Sequence, residues 1–328
     1  MATRIAVVGI GKIARDQHIP CIAKNRNFQL VAAVSRHATL ENVPCFESLA
    51  ALRSSKIKVD AVALCTPPAV RLAMARECLD AGWHTLIEKP PTPTVGELLA
   101  METYAKKKKR VLYATWHSRY NKSVDMAKAK LKGKHVNFLR VTWKEDVNKW
   151  HPGQAWIWQP GGFGVFDPGI NALSIVTKIM PEAIFVESAT IEVPSNSATP
   201  IAADIRFKRG DGAAADLSAA FDWRQETGET WEIEVGTRDG LRLHLKNGGS
   251  VLVVNGKTVN EAVLHEIRGH LHQVRAPAEG EEERGGCHAA ATRFRLLHAG
   301  QARGAACLHL AVRISSAAAS RCCSRPLR

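Results

Sequence analysis

The sequence predicts an α/β chain in which a doubly wound parallel sheet is followed by an α+β domain with an open, mainly antiparallel sheet. Short β-branched runs alternate with amphipathic stretches up to residue 115, as in repeated βαβ units. From Ile184 onward, strands follow one another with Gly-Asp, Arg-Asp-Gly and Asn-Gly-Gly turns, which indicates antiparallel pairing. The 328 residues are 45% hydrophobic and 23% charged, so the chain can bury the cores of two globular domains.

The first part of the chain supplies five predicted strands with helices between them. The strands are the apolar runs at 5–8, 30–34, 59–65, 85–88 and 111–115. The helices are the amphipathic stretches at 12–24, around residue 49, at 69–81 and at 94–108. Parallel strands bring their carboxyl ends to one edge of the sheet, so the loops after these strands are the predicted ligand-binding positions.

The second part begins with a different rhythm. A predicted helix at 121–132 leads to a long polar-apolar alternation at 136–144, a loop rich in Gly and Trp, and a helix at 167–180. We therefore expect domains at 1–118 and 119–266, with a compositionally different tail at 267–328.

A glycine motif, Gly9-Ile-Gly11-Lys-Ile-Ala14, follows the first strand and opens the first helix. Glycine permits the tight turn and the approach of a pyrophosphate, and the helix N-terminus offers free N–H groups to it. This position favours a Rossmann dinucleotide-binding domain over a purely structural turn. The expected cofactor contacts in this loop are Gly9, Gly11, Lys12, Ile13 and Ala14.

The second strand ends at Ser35-Arg36, where NAD-binding domains usually place an acidic residue for the ribose. No acid would repel a 2′-phosphate here, and a hydroxyl beside a guanidinium suits that phosphate. We therefore expect NADP to be preferred over NAD. The alternative is that Arg36 is a solvated loop arginine.

Two proline loops follow later strands of the sheet. Thr66-Pro67-Pro68 and Glu88-Lys89 lie at strand carboxyl ends, so we expect them to contact the cofactor, with Lys89 at its nicotinamide end. The order of the glycine motif, the Thr-Pro-Pro loop and Glu-Lys-Pro resembles the Gfo/Idh/MocA oxidoreductase family.

Further motifs in the second domain are similar to bacterial D-galactose and L-arabinose 1-dehydrogenases of that family, and the resemblance covers residues 3–266. The motifs lie at 116–119, 143–146, 150–153 and 160–171. The resemblance implies a sugar 1-dehydrogenase that oxidises C1 of D-galactose, L-arabinose or both to the aldonolactone, with hydride transfer to NAD(P). Such motifs also shape loops without any catalytic role.

The same resemblance implies a catalytic trio of Lys89, Asp167 and Asn171. Asp167 is the candidate base, Lys89 would stabilise charge on the C1 oxygen, and Asn171 would orient the sugar. The wider family usually carries histidine where this chain has Asn171, which puts a histidine relay from that position in doubt. The alternative for Asp167 is a helix N-cap.

Sugar recognition requires polar groups and a flat apolar wall, and residues of these types lie on loops around the helix at 167–180. The expected substrate contacts are His117, Glu145, Trp150, His151, Asp167 and Asn171. For Trp231, a place in the core of the sheet is the favoured interpretation, and a contact with the substrate pocket is the alternative.

The net charge of +14 invites a nucleic-acid hypothesis, but much of the excess lies in the tail. Residues 267–328 hold ten Arg and four Glu without Lys or Asp, and half of the eight cysteines. This composition is typical of a GC-rich gene translated out of frame, and we interpret the tail as a reading-frame artefact. A genuine basic tail is the alternative.

The remaining expectations concern partners and location. We expect a small aldose substrate, reduced thiols, and neither a metal, a nucleic acid nor a membrane as partner, with homo-oligomer formation through the C-terminal sheet. Without a signal-peptide pattern the expected location is the cytoplasm. The alternative function is a catalytically silent Rossmann-type sensor of dinucleotide or sugar.

Overall fold

The computed structural model of the chain describes residues 1–261, and the compositionally different tail lies outside them. The described chain divides into two compact units, residues 1–117 and 118–261. Within these residues no helix combines the length and the apolar character needed to cross a membrane.

The strands of residues 1–117 form one parallel sheet. They are β1 Thr3–Val8, β2 Phe28–Val34, β3 Cys45–Phe46, β4 Ala61–Leu64, β5 His84–Glu88 and β6 Leu112–Thr115. Within this part of the chain their order is β3-β2-β1-β4-β5-β6. The chain therefore adds strands outward on one side of β1 and then, from β4, on the other side, while all strands stay parallel. This is the predicted doubly wound order, with the two-residue β3 as an additional edge strand.

Helices connect these strands. They are a π-type turn at Ala14–His18 that continues into α1 Ile19–Ala23, α2 Leu49–Ser54, α3 Pro68–Asp80 and α4 Val95–Lys108. Capping explains two of the starts, because Ser48 accepts the Ala51 N–H at α2 and Thr94 forms a reciprocal capping box with Glu97 at α4. The regular helix predicted at 12–24 is instead a π turn followed by a short α-helix.

Both faces of the parallel sheet are buried. Along β1, Ile5 and Val7 pack in the cluster on one face, and Ala6 and Val8 pack in the cluster on the other. Alternate residues therefore enter different cores, which explains why the strand is a continuous apolar run.

Residues 118–261 contain the second sheet and three α-helices. The helices are α5 Lys122–Leu131, α6 Val147–Trp150 and α7 Phe166–Ile179. The strands are β7 Val136–Lys144, β8 Ile184–Glu192, β9 Ala202–Arg209, β10 Asp216–Asp222, β11 Thr230–Thr237, β12 Arg242–Lys246, β13 Val251–Val254 and β14 Lys257–Glu261.

This second sheet has the order β14-β13-β12-β11-β7-β10-β9-β8 in the described chain. Its pairs are antiparallel except for β7 with β10, which run parallel, so the expectation of a mainly antiparallel sheet is confirmed. One face packs against apolar residues of α5 and α7, and the outward-facing residues of the strands are more exposed. The alternation of buried and exposed residues along β9 follows from this one-sided packing.

Among residues 1–261, Cys45, Cys65 and Cys78 are free thiols, as expected. Cys65 and Cys78 are buried, and Cys21 and Cys45 are half-buried.

Candidate active site

The turn after β1 depends on glycine. Gly9 has a φ of +87°, and a Cβ added there would lie 2.9 Å from Cγ2 of Thr66, in the loop after β4. Its N–H donates to the carbonyl oxygen of Val34 at 2.8 Å. The loops after β1 and β4 therefore touch where the strand order reverses, which is where doubly wound sheets bind ligands.

The residues that follow fit a dinucleotide. A Cβ added at Gly11 would meet no heavy atom within 4 Å, so the glycine leaves open space beside the loop. Ala14 is fully buried and Ile13 packs against the same core cluster, whereas the Lys12 ammonium pairs with Asp16 one turn further on. A loop with open backbone on one side and close packing on the other has the shape that receives a pyrophosphate.

An open surface pocket of about 390 Å³ lies at the end of β2 and is lined by both Ser35 and Arg36. Arg36 is exposed, and the Ser35 hydroxyl accepts the His37 N–H at 3.3 Å. The exposed Glu47, which was not a candidate from the sequence, also lines this pocket. The pocket thus offers both a cation suited to a phosphate and an anion suited to ribose hydroxyls.

A buried arginine of α3 holds the two proline loops together. The Nε of Arg71 donates to the carbonyl oxygen of Thr66 at 2.7 Å, and its Nη1 donates to the carbonyl oxygens of Glu88 and Pro90. Pro67 itself is exposed, and Pro68 begins α3. Arg71 was not a candidate from the sequence because it looks like any charged residue of an amphipathic helix.

The Glu88 side chain is turned into the protein and is 2% exposed. Its Oε1 lies 2.7 Å from Nε2 of His18, and its Oε2 accepts the backbone N–H of Lys89 at 3.1 Å. The carboxylate therefore fixes the backbone from which the Lys89 ammonium extends. A cofactor contact through the Glu88 side chain stays a prediction.

Histidine 18 and Glu88 form a buried ion pair. Burial lowers the pKa of His18, but the Cys65 sulfur and the Glu88 carboxylate outweigh it and raise that pKa from 6.5 to about 10. Burial also opposes ionisation of Glu88, but its hydrogen bond to His18 and the charges of His18, His117 and Arg71 hold the pKa of Glu88 below its usual range. His117, a predicted substrate contact, follows β6, is buried, and lies close enough to Glu88 for its charge to contribute to the lowered pKa of Glu88.

In the second unit, the close packing of Gly164 against the backbone of Pro200 positions the start of the helix that carries Asp167. A Cβ added at Gly164 would lie 2.2 Å from the carbonyl oxygen of Pro200, and the neighbouring Val165 N–H donates to the same oxygen at 2.7 Å. Helix α7 then begins at Phe166 with Val165 as its N-cap, so Asp167 stands inside the first turn and is 5% exposed. The alternative interpretation of Asp167 as the N-cap is therefore wrong.

Asp167 faces a histidine. Its Oδ2 lies 3.4 Å from Nε2 of His151, the residue that follows α6. On the other side of the ring, Nδ1 lies 3.3 Å from Oε1 of Gln154, and that oxygen also accepts the indole N–H of Trp156 at 3.1 Å. A predicted base and a predicted substrate contact are thus adjacent.

A second buried carboxylate lies among tryptophans. Glu145 is 4% exposed and accepts the indole N–H of Trp223 at 3.2 Å and that of Trp231 at 2.8 Å. The ring of Trp150 lies 5.4 Å from that of Trp231, and its buried Nε1 has no hydrogen-bond partner within residues 1–261. Trp231 is half-buried, packs against the core of the second sheet as expected, and also lies beside Trp150, a predicted substrate residue.

Asn171 lies one helical turn after Asp167 on α7 and is half-buried, so both side chains leave the same face of the helix. The structure thus brings together Glu145, Trp150, His151, Asp167 and Asn171 in the second unit. His117 and Lys89 belong to the first unit.

Several residues that hold the site were not candidates from the sequence. They are His18 and Arg71 in the first unit and Gln154, Trp156 and Trp223 in the second. The sequence offered one signal, the number of tryptophans in the second unit. An indole N–H can only donate a hydrogen bond, so a buried tryptophan predicts an acceptor such as a carboxylate beside it. Among residues 1–261, no group of His, Cys, Asp and Glu side chains is arranged to hold a metal ion.

Comparisons with known proteins identify relatives across both units. Galactose 1-dehydrogenase from Pseudomonas fluorescens is 43% identical over 263 residues, which are 80% of this chain and 84% of that protein. The crystal structure of a D-galactose-1-dehydrogenase protein from Rhizobium etli is 45% identical, has a TM-score of 0.76 and covers 83% of this chain and 87% of its own.

More distant similarity concerns the fold. A mutant of a 3-ketoreductase from Actinomadura kijaniata, crystallised with NADP and TDP-benzene, is 15% identical with a TM-score of 0.74, over 92% of this chain and 98% of its own. Residues 3–115 match the Gfo/Idh/MocA model, described as an oxidoreductase family with an NAD-binding Rossmann fold. The chain therefore belongs to the Gfo/Idh/MocA oxidoreductase family and is an NAD(P)-dependent dehydrogenase.

Proposed function

We propose that this protein is a sugar 1-dehydrogenase that oxidises C1 of D-galactose, L-arabinose or both to the aldonolactone. The observation that carries the proposal is the buried carboxylate of Asp167 beside His151, in a unit that also holds Glu145 among indole rings. Acids and imidazole bind sugar hydroxyls, and indole faces suit the C–H surface of a pyranose ring. The galactose 1-dehydrogenases among its relatives support the same substrate class.

The recognition of the ring would come from the second unit. Glu145 is held in one orientation by two indole donors, so its carboxylate is pre-organised to accept hydroxyl protons. The unpaired Nε1 of Trp150 is available to donate to a hydroxyl oxygen. Asn171 would orient the sugar from the next turn of α7.

The chemical step requires loss of a hydride from C1 and of a proton from the C1 hydroxyl. The nicotinamide, when bound, supplies the hydride acceptor. We propose that Asp167 accepts the hydroxyl proton and that Lys89 donates a hydrogen bond to the C1 oxygen, stabilising the charge that develops there. The contact of Glu88 with the Lys89 backbone supports a fixed position for that ammonium.

Substrate tests on the purified full chain distinguish this proposal from a silent sensor. D-Galactose and L-arabinose should each produce reduced nicotinamide, followed by its absorbance, and a lactone two hydrogens lighter than the sugar. Both sugars share ring stereochemistry, and a pocket discriminates the extra hydroxymethyl group by only about 1–3 kcal/mol. Methyl galactoside, which has no free C1 hydroxyl, is the matched negative substrate. Cofactor binding without reduction by any aldose, or oxidation of the methyl glycoside, would contradict the proposal.

We further propose a preference for NADP, through Ser35 and Arg36. The pocket at the end of β2 supports it with an exposed guanidinium, and Glu47 in the same pocket supports residual use of NAD.

Reversing the charge of Arg36 should change this preference. Arg36→Glu is expected to lower the ratio of kcat/KM for NADP to that for NAD by about 10- to 100-fold, since a charge-assisted hydrogen bond contributes about 1.5–3 kcal/mol. Arg26→Glu makes the same charge change at another exposed position of the first unit and should leave the ratio unaltered. An equal ratio in wild type and Arg36→Glu would show that Arg36 is a solvated loop residue.

Two finer expectations accompany this proposal. We propose that the protein is located in the cytoplasm, and the cofactor class and the free thiols are compatible with that location. We also propose that it forms a homo-oligomer through its C-terminal sheet.

A further inference from the structure

The orientation of His151 determines which of its nitrogens carries a proton. The indole Nε1 of Trp156 can only donate, so the Gln154 atom 3.1 Å from it must be the amide oxygen. That oxygen can only accept, and it also lies 3.3 Å from Nδ1 of His151. The neutral imidazole therefore carries its proton on Nδ1, and Nε2 presents a lone pair.

This lone pair faces the predicted catalytic base. Nε2 lies 3.4 Å from Oδ2 of Asp167, a separation that is long for a hydrogen bond and that commonly shortens when substrate binds. A proton on the Asp167 carboxyl group would therefore face an acceptor atom of His151, so the geometry provides a direct path from Oδ2 to Nε2.

We propose that His151 takes over from Asp167 the proton that leaves the C1 hydroxyl of the sugar, an inference that rests on the proposed function. The O–H bond breaks and its proton passes to the Asp167 carboxylate, while the C1 hydride leaves to the oxidised nicotinamide dinucleotide and the C1–O bond becomes a carbonyl. The proton then moves from Oδ2 to Nε2, which makes His151 an imidazolium. The side chain of His151 is more exposed than that of Asp167, at 15% against 7%, so the imidazolium can release its proton to water.

Other groups also pack around the His151 ring. They include the uncharged Gln154 amide and the indoles of Trp156 and Trp223, and the Trp223 indole donates to the Glu145 carboxylate. On its own helix, charged groups are turned elsewhere: Asp146 caps α6 through the Asn148 N–H, and Lys149 pairs with Glu229.

The pH dependence of His151→Gln tests the transfer. Glutamine can still donate to Asp167 and bind a hydroxyl, but it cannot take up a proton. The reactive wild-type enzyme needs both an ionised Asp167 and a neutral His151, whereas the variant needs only an ionised Asp167. The acid limb of the kcat/KM profile should therefore move to lower pH by about one unit or more in the variant. The maximal kcat should fall by about 10- to 100-fold with KM within about threefold of wild type.

A matched control comes from the second histidine-carboxylate pair of this unit. His244 lies 2.9 Å from Glu232, and His244→Gln should leave both the acid limb and kcat unchanged. A purely sugar-binding His151 would instead raise KM and leave the acid limb in place, and that result would overturn the proposal. Wild type without any sugar oxidation would refute the proposed function itself, which is a separate outcome.

The tautomer can be measured without turnover. In the nitrogen-15-labelled full chain, long-range nitrogen-proton correlation spectra should show His151 protonated at Nδ1 and unprotonated at Nε2 above the pH at which the pair titrates. Its signals can be assigned by their loss in His151→Gln or, should that variant not fold, by their shift in Asp167→Asn. The opposite tautomer, with the proton on Nε2, would overturn the proposal.

Discussion

Asp167→Asn is expected to reduce kcat by about 10²- to 10⁴-fold, the range that a positioned general base contributes. The amide has nearly the shape of the carboxylate, so it preserves the packing of a residue that is 5% exposed at the first turn of α7. It cannot accept the C1 hydroxyl proton at neutral pH. Steady-state kinetics with D-galactose and NADP would measure the loss, and titration of protein fluorescence with NADP should show unchanged cofactor affinity.

The same chemical change at an exposed acid controls for this result. Asp216 pairs with Arg206 on the surface of the second unit, and Asp216→Asn should keep wild-type kcat because exposed ion pairs contribute little. Circular dichroism should show that both variants fold. A folded Asp167→Asn protein with more than about a tenth of wild-type turnover would rule out Asp167 as the base.

Local sequence patterns were sufficient for the backbone of the site. The glycine motif after β1 predicted the close approach at Gly9, because a positive φ and a missing Cβ are properties of one residue and its neighbours. The motif at 160–171 likewise predicted that a helix begins at Asp167. The observed helix α7 begins one residue earlier, at Phe166.

The side-chain partners of the site could not be found in this way. His18 and Glu88 are 70 positions apart, and Glu145 is 78 and 86 positions from the indoles that hold it. Neither pairing follows a sequence periodicity or a fixed spacing, because each depends on how strand pairing within one sheet brings distant segments of the chain together. Even the parallel pairing of β7 with β10 follows from the whole sheet, since each strand alone has the alternation of an antiparallel one.

Glu88→Gln is expected to lower the free energy of unfolding by about 3–5 kcal/mol, because it leaves the buried His18 without its anion. The change also replaces the charged acceptor of the Lys89 N–H, so kcat should fall together with stability. Urea denaturation at pH 6 would measure the destabilisation. The double variant with His18→Gln should be less unstable than the sum of the single variants, since it buries no unpaired charge; additive losses would mean that the two groups do not interact.

The pH dependence of stability should identify the same pair. The folded pKa of His18, about 10, lies above its unfolded value of 6.5, so the stabilisation from its charge is complete below pH 6.5 and is lost as the pH rises towards 10. The folded pKa of Glu88 lies below 4.5, so its contribution is complete above that pH and is lost in acid. Wild type should therefore lose stability between pH 6.5 and 10, and this loss should be smaller in Glu88→Gln, which lacks the Glu88 charge and hydrogen bond that help to raise the pKa of His18. Equal slopes in the two proteins would show that the Glu88 carboxylate does not raise the pKa of His18, and the pair would then contribute no charge-charge stabilisation beside the Lys89 backbone.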